Sequence, residues 1–191
     1  PVAMYNEMAK AVKAKKVSYK QVKSWNLDEY VGLAGTHDQS YRYFMNKYLF
    51  NRVDIDKANT HVPDGINLEN IKTYDAQIEA AGGIDLQILG IGVDGHIAFN
   101  EPGTKFGSVT HIVDLTESTI KDNSRMFEKI EDVPRQAFTM GLKNIMNAKK
   151  ILILANGKNK AQAVYGLVKG EVTEKVPASI LQRHPDCILV C

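Results

Sequence analysis

Three nearly uninterrupted apolar runs constrain this chain more than any other feature. They are "IDLQILGIG" from Ile84, "KKILILAN" from Lys149 and "CILVC" from Cys187. A strand with one wet face alternates apolar and polar residues, whereas a strand covered on both faces reads as continuous Val, Ile and Leu. Between these runs lie stretches with apolar residues at helical spacing. Val2, Tyr5, Met8, Ala9 and Val12 mark one helix, with Pro1 at its first turn. Leu68, Ile71, Tyr74, Ile78 and Ala81 mark a second over 67–81, closed by Gly82-Gly83. Further helices are predicted over 39–51 with Asp38 as its cap, over 118–128, over 159–168 and, briefly, at "PASILQ". "VKSWNL" and "THIVDL" read as additional strands, and "DEYVGLAGTHDQS" reads as loop. Strands alternating with helices predict an α/β fold, a three-layer α/β/α Rossmann-like sandwich around a mainly parallel sheet. Ligands of such sheets bind beyond the carboxyl ends of the strands.

Composition narrows the function. The 191 residues carry 24 basic and 22 acidic side chains, a net charge of +2, which supplies no electrostatic footprint for nucleic acid or a membrane surface. No apolar run approaches the roughly 20 residues of a membrane helix. Cys187 and Cys191 sit four positions apart on one predicted strand, about 13 Å, too far for a disulfide with each other. Buried thiols in a reducing cytoplasm are expected.

The stretch "LGIGVDGHIAFNEPG", Leu89 to Gly103, contains G-x-G-x-x-G. A dinucleotide fingerprint requires a strand before it and a helix starting within it. The strand is predicted here, but "HIAFNEPG" has poor helical character and meets Pro102, which restricts Glu101 to extended backbone. A catalytic loop suits the residues better. Asp94, His96, Asn100 and Glu101 fall within eight positions of one another, and carboxylates beside an imidazole set its tautomer and proton affinity. No metal is expected: His96 and Glu101 share no helix face, and no second histidine is near.

This loop, together with "NLDEYVGL" from Asn26, resembles the glucosamine-6-phosphate deaminase (sugar-phosphate isomerase–deaminase) family. The segments "QSYRYFM", "NSRMFE", "VPRQAFTMGL", "GKNKAQAV" and "PASILQRHP" resemble the family in the family's own order, so the likeness spans nearly the whole chain. The resemblance implies conversion of glucosamine 6-phosphate and water to fructose 6-phosphate and ammonia in the cytoplasm, with no cofactor. Asp28 corresponds to the family's proton-shuttling base and His96 to the ring-opening acid–base. Asp94 and Glu101 correspond to the carboxylates that orient that histidine. Arg125 and Lys160 match phosphate-binding positions, with Lys158 a competitor for the latter; His184 receives no catalytic part. Two alternatives share the fold: a 6-phosphogluconolactonase, although such enzymes usually carry arginine after the Asp-Glu pair, and a catalytically dead phosphosugar-binding protein. Partners are a small phosphosugar and, at most, further copies of the chain, monomer and homo-oligomer both being open. His111 and Val113 stand where allosteric members carry cations, so strong allosteric activation is not expected. Family members open with a strand and a Gly/Thr-rich phosphate loop ending in Thr-Pro, and Pro1 aligns with that proline. The expectation is one α/β domain over 1–191, a fragment lacking that strand, that loop and a short C-terminal tail.

Overall fold

The apolar runs become parallel strands, and the helically spaced segments become the layers that cover them. The computed structural model describes residues 1–191, with Asp122 described by its backbone alone. In chain order the elements are α1 (Val2–Lys13), β1 (Ser24–Trp25), β2 (Asp28–Tyr30), α2 (Tyr41–Met45, continued by a π-helical turn over Asn46–Phe50), β3 (Thr60–His61), α3 (Ile71–Ala80), β4 (Leu86–Gly90), β5 (His111–Asp114), α4 (Glu117–Ser124), β6 (Gln136–Thr139), α5 (Leu142–Met146), β7 (Lys150–Leu154), α6 (Ala161–Val168) and β8 (Cys187–Val190). "PASILQ" forms the start of a 3-10 helix over Pro177–Arg183.

Strands β4, β7 and β8 pair in parallel, in that order, as do β1 and β3. The fold is α/β, as the pattern of runs predicts, but its sheets are mixed: β2, β6 and β5 form an antiparallel trio. The main core gathers Leu89, Ile151 and Ile153 from β4 and β7, Tyr74 from α3, Leu142 and Ile145 from α5, and Ala163 and Leu167 from α6. A second cluster, including Tyr30, Leu33, Phe99, Ile120 and Ala137, lies between the antiparallel trio and α4.

Several boundaries differ from the sequence expectation, each for a physical reason. Asp28–Tyr30, expected as loop, is a strand because it has a ladder partner in β6 that lies far along the chain. β6 and α5 themselves carry no periodic signal strong enough to assign from sequence. The expected strand over 22–27 is confined to Ser24–Trp25. Helix α2 begins at Tyr41, capped by Ser40 rather than Asp38: the Ser40 hydroxyl accepts from the Tyr43 N–H at 3.0 Å. Gly82 and Gly83 end α3 as predicted, both with positive φ. Cys187 is half-buried and Cys191 exposed, so the expectation of two buried thiols fails at the end of an edge strand; both are free. Among the described residues, no helix is long and apolar enough to cross a membrane.

This topology positions the site. Gly90 and Leu154 are in register at the carboxyl ends of β4 and β7. The loop from Ile91 and the turn Gly157–Lys160 therefore leave the same rim of the parallel sheet.

Candidate active site

No helix starts after β4, which removes the dinucleotide reading; the chain instead folds into a tight loop. Gly92 N–H donates to the His96 carbonyl at 2.9 Å, and Gly95 N–H donates to the Gly92 carbonyl at 3.1 Å. The His96 imidazole lies directly on Gly92. A Cβ there would sit 2.3 Å from both Cε1 and Nδ1 of the ring, so only glycine fits.

Asp94 orients the histidine twice. Its Oδ1 accepts from the His96 backbone N–H at 3.1 Å and lies 2.8 Å from His96 Nδ1. The second contact is out of line for a hydrogen bond and acts through charge when the ring is protonated. Glu101 closes the cluster from a buried position. Its Oε1 accepts from the Thr119 hydroxyl at 2.5 Å and from Thr116 at 3.4 Å, both at the start of α4. Its Oε2 is buried and has no protein hydrogen-bond partner.

Asp94, His96 and Glu101 each bring a ligand-type atom within 4.8 Å of the others. A divalent ion can use three such ligands, but ligands of tetrahedral zinc sit roughly 3.3 Å apart given its bond lengths. The 2.8 Å approach of Asp94 to His96 is closer than that, a direct charge contact between the two side chains.

Asp28 lies on β2, opposite Thr139 of β6. It approaches the histidine loop through that strand, because Phe99 N–H donates to the Thr139 hydroxyl at 3.1 Å and Asn100 Nδ2 donates to the Met140 carbonyl at 2.8 Å. Burial, reinforced by the charge of Glu29, pushes the Asp28 carboxyl up to about 7. The charge of ionised Asp28 in turn adds to burial in raising Tyr5, Tyr41 and Tyr74, and Tyr30 is pushed up to about 12, mainly by burial. Asp28 is thus a carboxyl among tyrosines that remain protonated.

Glu29, the next residue of β2, is buried. It is 1% exposed, and its carboxylate accepts from the N–H groups of Tyr30 (2.9 Å), Tyr41 and Arg42 (both 3.0 Å). Burial raises its pKa while those three donors pull it down.

The cations are less enclosed. Arg125 is the exposed C-cap residue of α4, and the nearby Asn123 donates to the Tyr30 hydroxyl at 2.9 Å, which sets that end of the helix over β2. Lys160 is half-buried at the start of α6, on the same rim as His96, whereas Lys158 is exposed. His184 is structural: its Nε2 pairs with the Ala148 carbonyl at 2.7 Å, and Nδ1 accepts from Asp186 N–H at 3.1 Å. The structure therefore gathers Asp94, His96 and Glu101 into one cluster and joins Asp28 to it through β6.

Sequence reasoning missed the residues that support this cluster. Thr116 and Thr119 were legible as a cap pair, since Thr116 accepts from the Thr119 N–H at 3.3 Å. Nothing local marks Thr139. Glu174 was also unmarked: its carbonyl accepts from Gly103 N–H at 2.8 Å and its carboxylate from Phe106 N–H at 3.1 Å and Lys105 at 2.8 Å, strapping the 171–178 segment across the loop.

The chain is similar to known proteins along its whole length. The family described as glucosamine-6-phosphate isomerases/6-phosphogluconolactonase matches residues 1–189. A glucosamine-6-phosphate deaminase of Clostridium perfringens is 53% identical over 194 residues, covering 100% of this chain and 80% of that protein. One from Mycoplasma mycoides is 51% identical over 190 residues, covering 100% and 78%. Among solved structures, a monomeric glucosamine-6-phosphate deaminase superposes with a TM-score of 0.95 at 39% identity, covering 99% of this chain and 80% of that one. A 6-phosphogluconolactonase from Thermotoga maritima gives 0.75 at 24% identity, a likeness of fold alone.

Proposed function

Because the chain belongs to the glucosamine-6-phosphate isomerase/6-phosphogluconolactonase family, we propose that it is a deaminase acting on glucosamine 6-phosphate, releasing fructose 6-phosphate and ammonia with water as co-substrate. The observation that carries this reading is a carboxyl held up to about 7 on β2, linked through one strand to an imidazole flanked by two carboxylates.

The chemistry has three demands. The sugar ring must open: His96 moves a proton between the ring oxygen and the anomeric hydroxyl, while Asp94 and Glu101 fix the imidazole and balance its charge. A proton must then pass from the amine-bearing carbon to the neighbouring carbon. One group has to accept it and return it, and Asp28 suits the task because a carboxyl titrating near 7 is available in both forms at neutral pH. That transfer leaves an imine at the former amine carbon. Water adds to it, and the C–N bond breaks to give the ketose and ammonia.

The phosphate falls to Arg125 and Lys160. The guanidinium offers a planar fork to two oxygens, and the ammonium acts as a point charge. The solved relative described as monomeric supports a monomer here, which light scattering tests. The decisive experiment is ammonia release from glucosamine 6-phosphate, run beside hydrolysis of 6-phosphogluconolactone. Lactone opening without ammonia would overturn the proposal in favour of the lactonase, and stabilisation by the sugar without turnover would favour a binding protein.

A further inference from the structure

We propose that Thr139 is a positioning residue that holds the two acid–base centres in register, an inference that rests on the deaminase reading above. It occupies the last place of β6 and is 0% exposed. Its backbone pairs with Asp28 on one side and with His111 on the other. Its hydroxyl accepts from Phe99 N–H at 3.1 Å and turns its own proton toward the Met140 carbonyl at 3.3 Å. The next residue repeats the arrangement: Met140 N–H donates to the Leu27 carbonyl at 2.7 Å, and the Met140 carbonyl accepts from Asn100 Nδ2 at 2.8 Å.

Thr139 at the end of β6 and Met140 just beyond it therefore grip the segment that carries Asp28 and the loop that carries His96 and Glu101. The loop depends on this grip. Ala98, between His96 and Asn100, has φ +53, a left-handed conformation that a non-glycine residue keeps only when its surroundings over-determine it. Asn100, also 0% exposed, ties the Ile97 carbonyl at 3.0 Å on the near side of Ala98. Phe99, on the far side, is held by Thr139. Without the hydroxyl, the buried Phe99 N–H has no acceptor there, and the strained turn can relax by rotating the histidine away from Asp28.

Thr139→Val keeps the shape and removes the hydroxyl; Thr139→Ser keeps the hydroxyl. With correctly folded protein, Thr139→Val is expected to lower kcat by about 10- to 100-fold, the effect of displacing a reacting group by about an ångström, with KM changed less than about threefold. Thr139→Ser is expected to recover kcat to within about threefold of the parent. Hydrogen exchange at the Phe99 amide should quicken at least about tenfold in the valine variant and not in the serine variant. In a His96→Gln background, Thr139→Val should cost less than about threefold, because the histidine through which it acts is gone.

An unchanged kcat with a protected Phe99 amide overturns the inference. So does an equal loss in both backgrounds, which marks general damage. If the valine variant does not fold, Thr139→Ala against Thr139→Ser makes the same comparison. If the parent releases no ammonia, the functional reading fails by itself, and Phe99 exchange in the same variants still decides whether Thr139 tethers the loop.

Discussion

At the scale of single residues, the site depends on what glycine permits and on where charge is exposed. His96 can lie where it does because Gly92 has no Cβ. Gly92→Ala places a methyl 2.3 Å from the imidazole, and the ring, at the tip of a rim loop, gives way before the sheet does. We expect kcat to fall by about 100-fold with little change in melting temperature, because a displacement of about an ångström costs that much in rate. Steady-state kinetics beside a thermal melt would check this, and a wild-type kcat would refute the placement of the ring. Arg125 makes the opposite prediction. A phosphate grip acts on ground and transition states alike, so Arg125→Ala should raise KM by about 10- to 100-fold with kcat nearly unchanged. A fall in kcat at constant KM would remove Arg125 from the phosphate site. Both predictions begin from motifs legible in the chain; the structure adds that the ring packs on Gly92 and that Arg125 is exposed at the end of α4.

At the scale of elements, the start of α2 is held by a side chain from another strand. The first N–H groups of a helix lack partners within it. Here Ser40 serves one of them, and the Glu29 carboxylate serves those of Tyr41 and Arg42 while also accepting from Tyr30. Glu29→Ala leaves these donors without an acceptor in a buried setting and is expected to cost about 3 kcal/mol, the usual penalty for unsatisfied groups of this kind. Glu29→Gln retains one carbonyl oxygen and should lose less. Because the charge of Glu29 helps to raise Asp28, the Gln variant should also move the Asp28-dependent limb of the pH–rate profile to lower pH. Urea titration and a pH profile on the same protein test both effects. A limb that stays in place would dissociate the two carboxyls. The burial of Glu29 is not legible in the sequence, because it arises only when α2 folds back onto β2.

At the scale of the whole molecule, the half-buried Asp28 makes stability depend on pH. Its carboxyl titrates at about 7 in the fold against an ordinary value of 3.8, so between those limits the folded chain holds a proton that the unfolded chain has released. The fold is favoured most below the lower limit, loses stability as pH rises through the interval, and carries the full penalty, on the order of a few kcal/mol, above the upper one. Asp28→Asn removes that titration. It should abolish proton exchange at the amine-bearing carbon while making the protein more stable than the parent above pH 7, with the two converging near pH 4. Melting temperatures across that range give the comparison, and parallel curves would show that Asp28 is not buried at a cost. Loss of function with gain of stability is the expected mark of a group retained for chemistry.

The sequence by itself determined the α/β class, the parallel strands β4, β7 and β8, the long helices, and the chemical identity of the loop from Leu89 to Gly103. These properties are local: continuous apolar runs, helical spacing, and a histidine between two carboxylates within a few residues. Only the tertiary structure decided that Asp28 begins a strand, that Glu29 is buried, that burial pushes the Asp28 carboxyl up, and that Thr139 pairs with Asp28 while accepting from the Phe99 N–H of the histidine loop. Each of these depends on segments distant along the chain coming together, and hydrogen-bond pairing and loss of solvent belong to that meeting and not to any one stretch of residues.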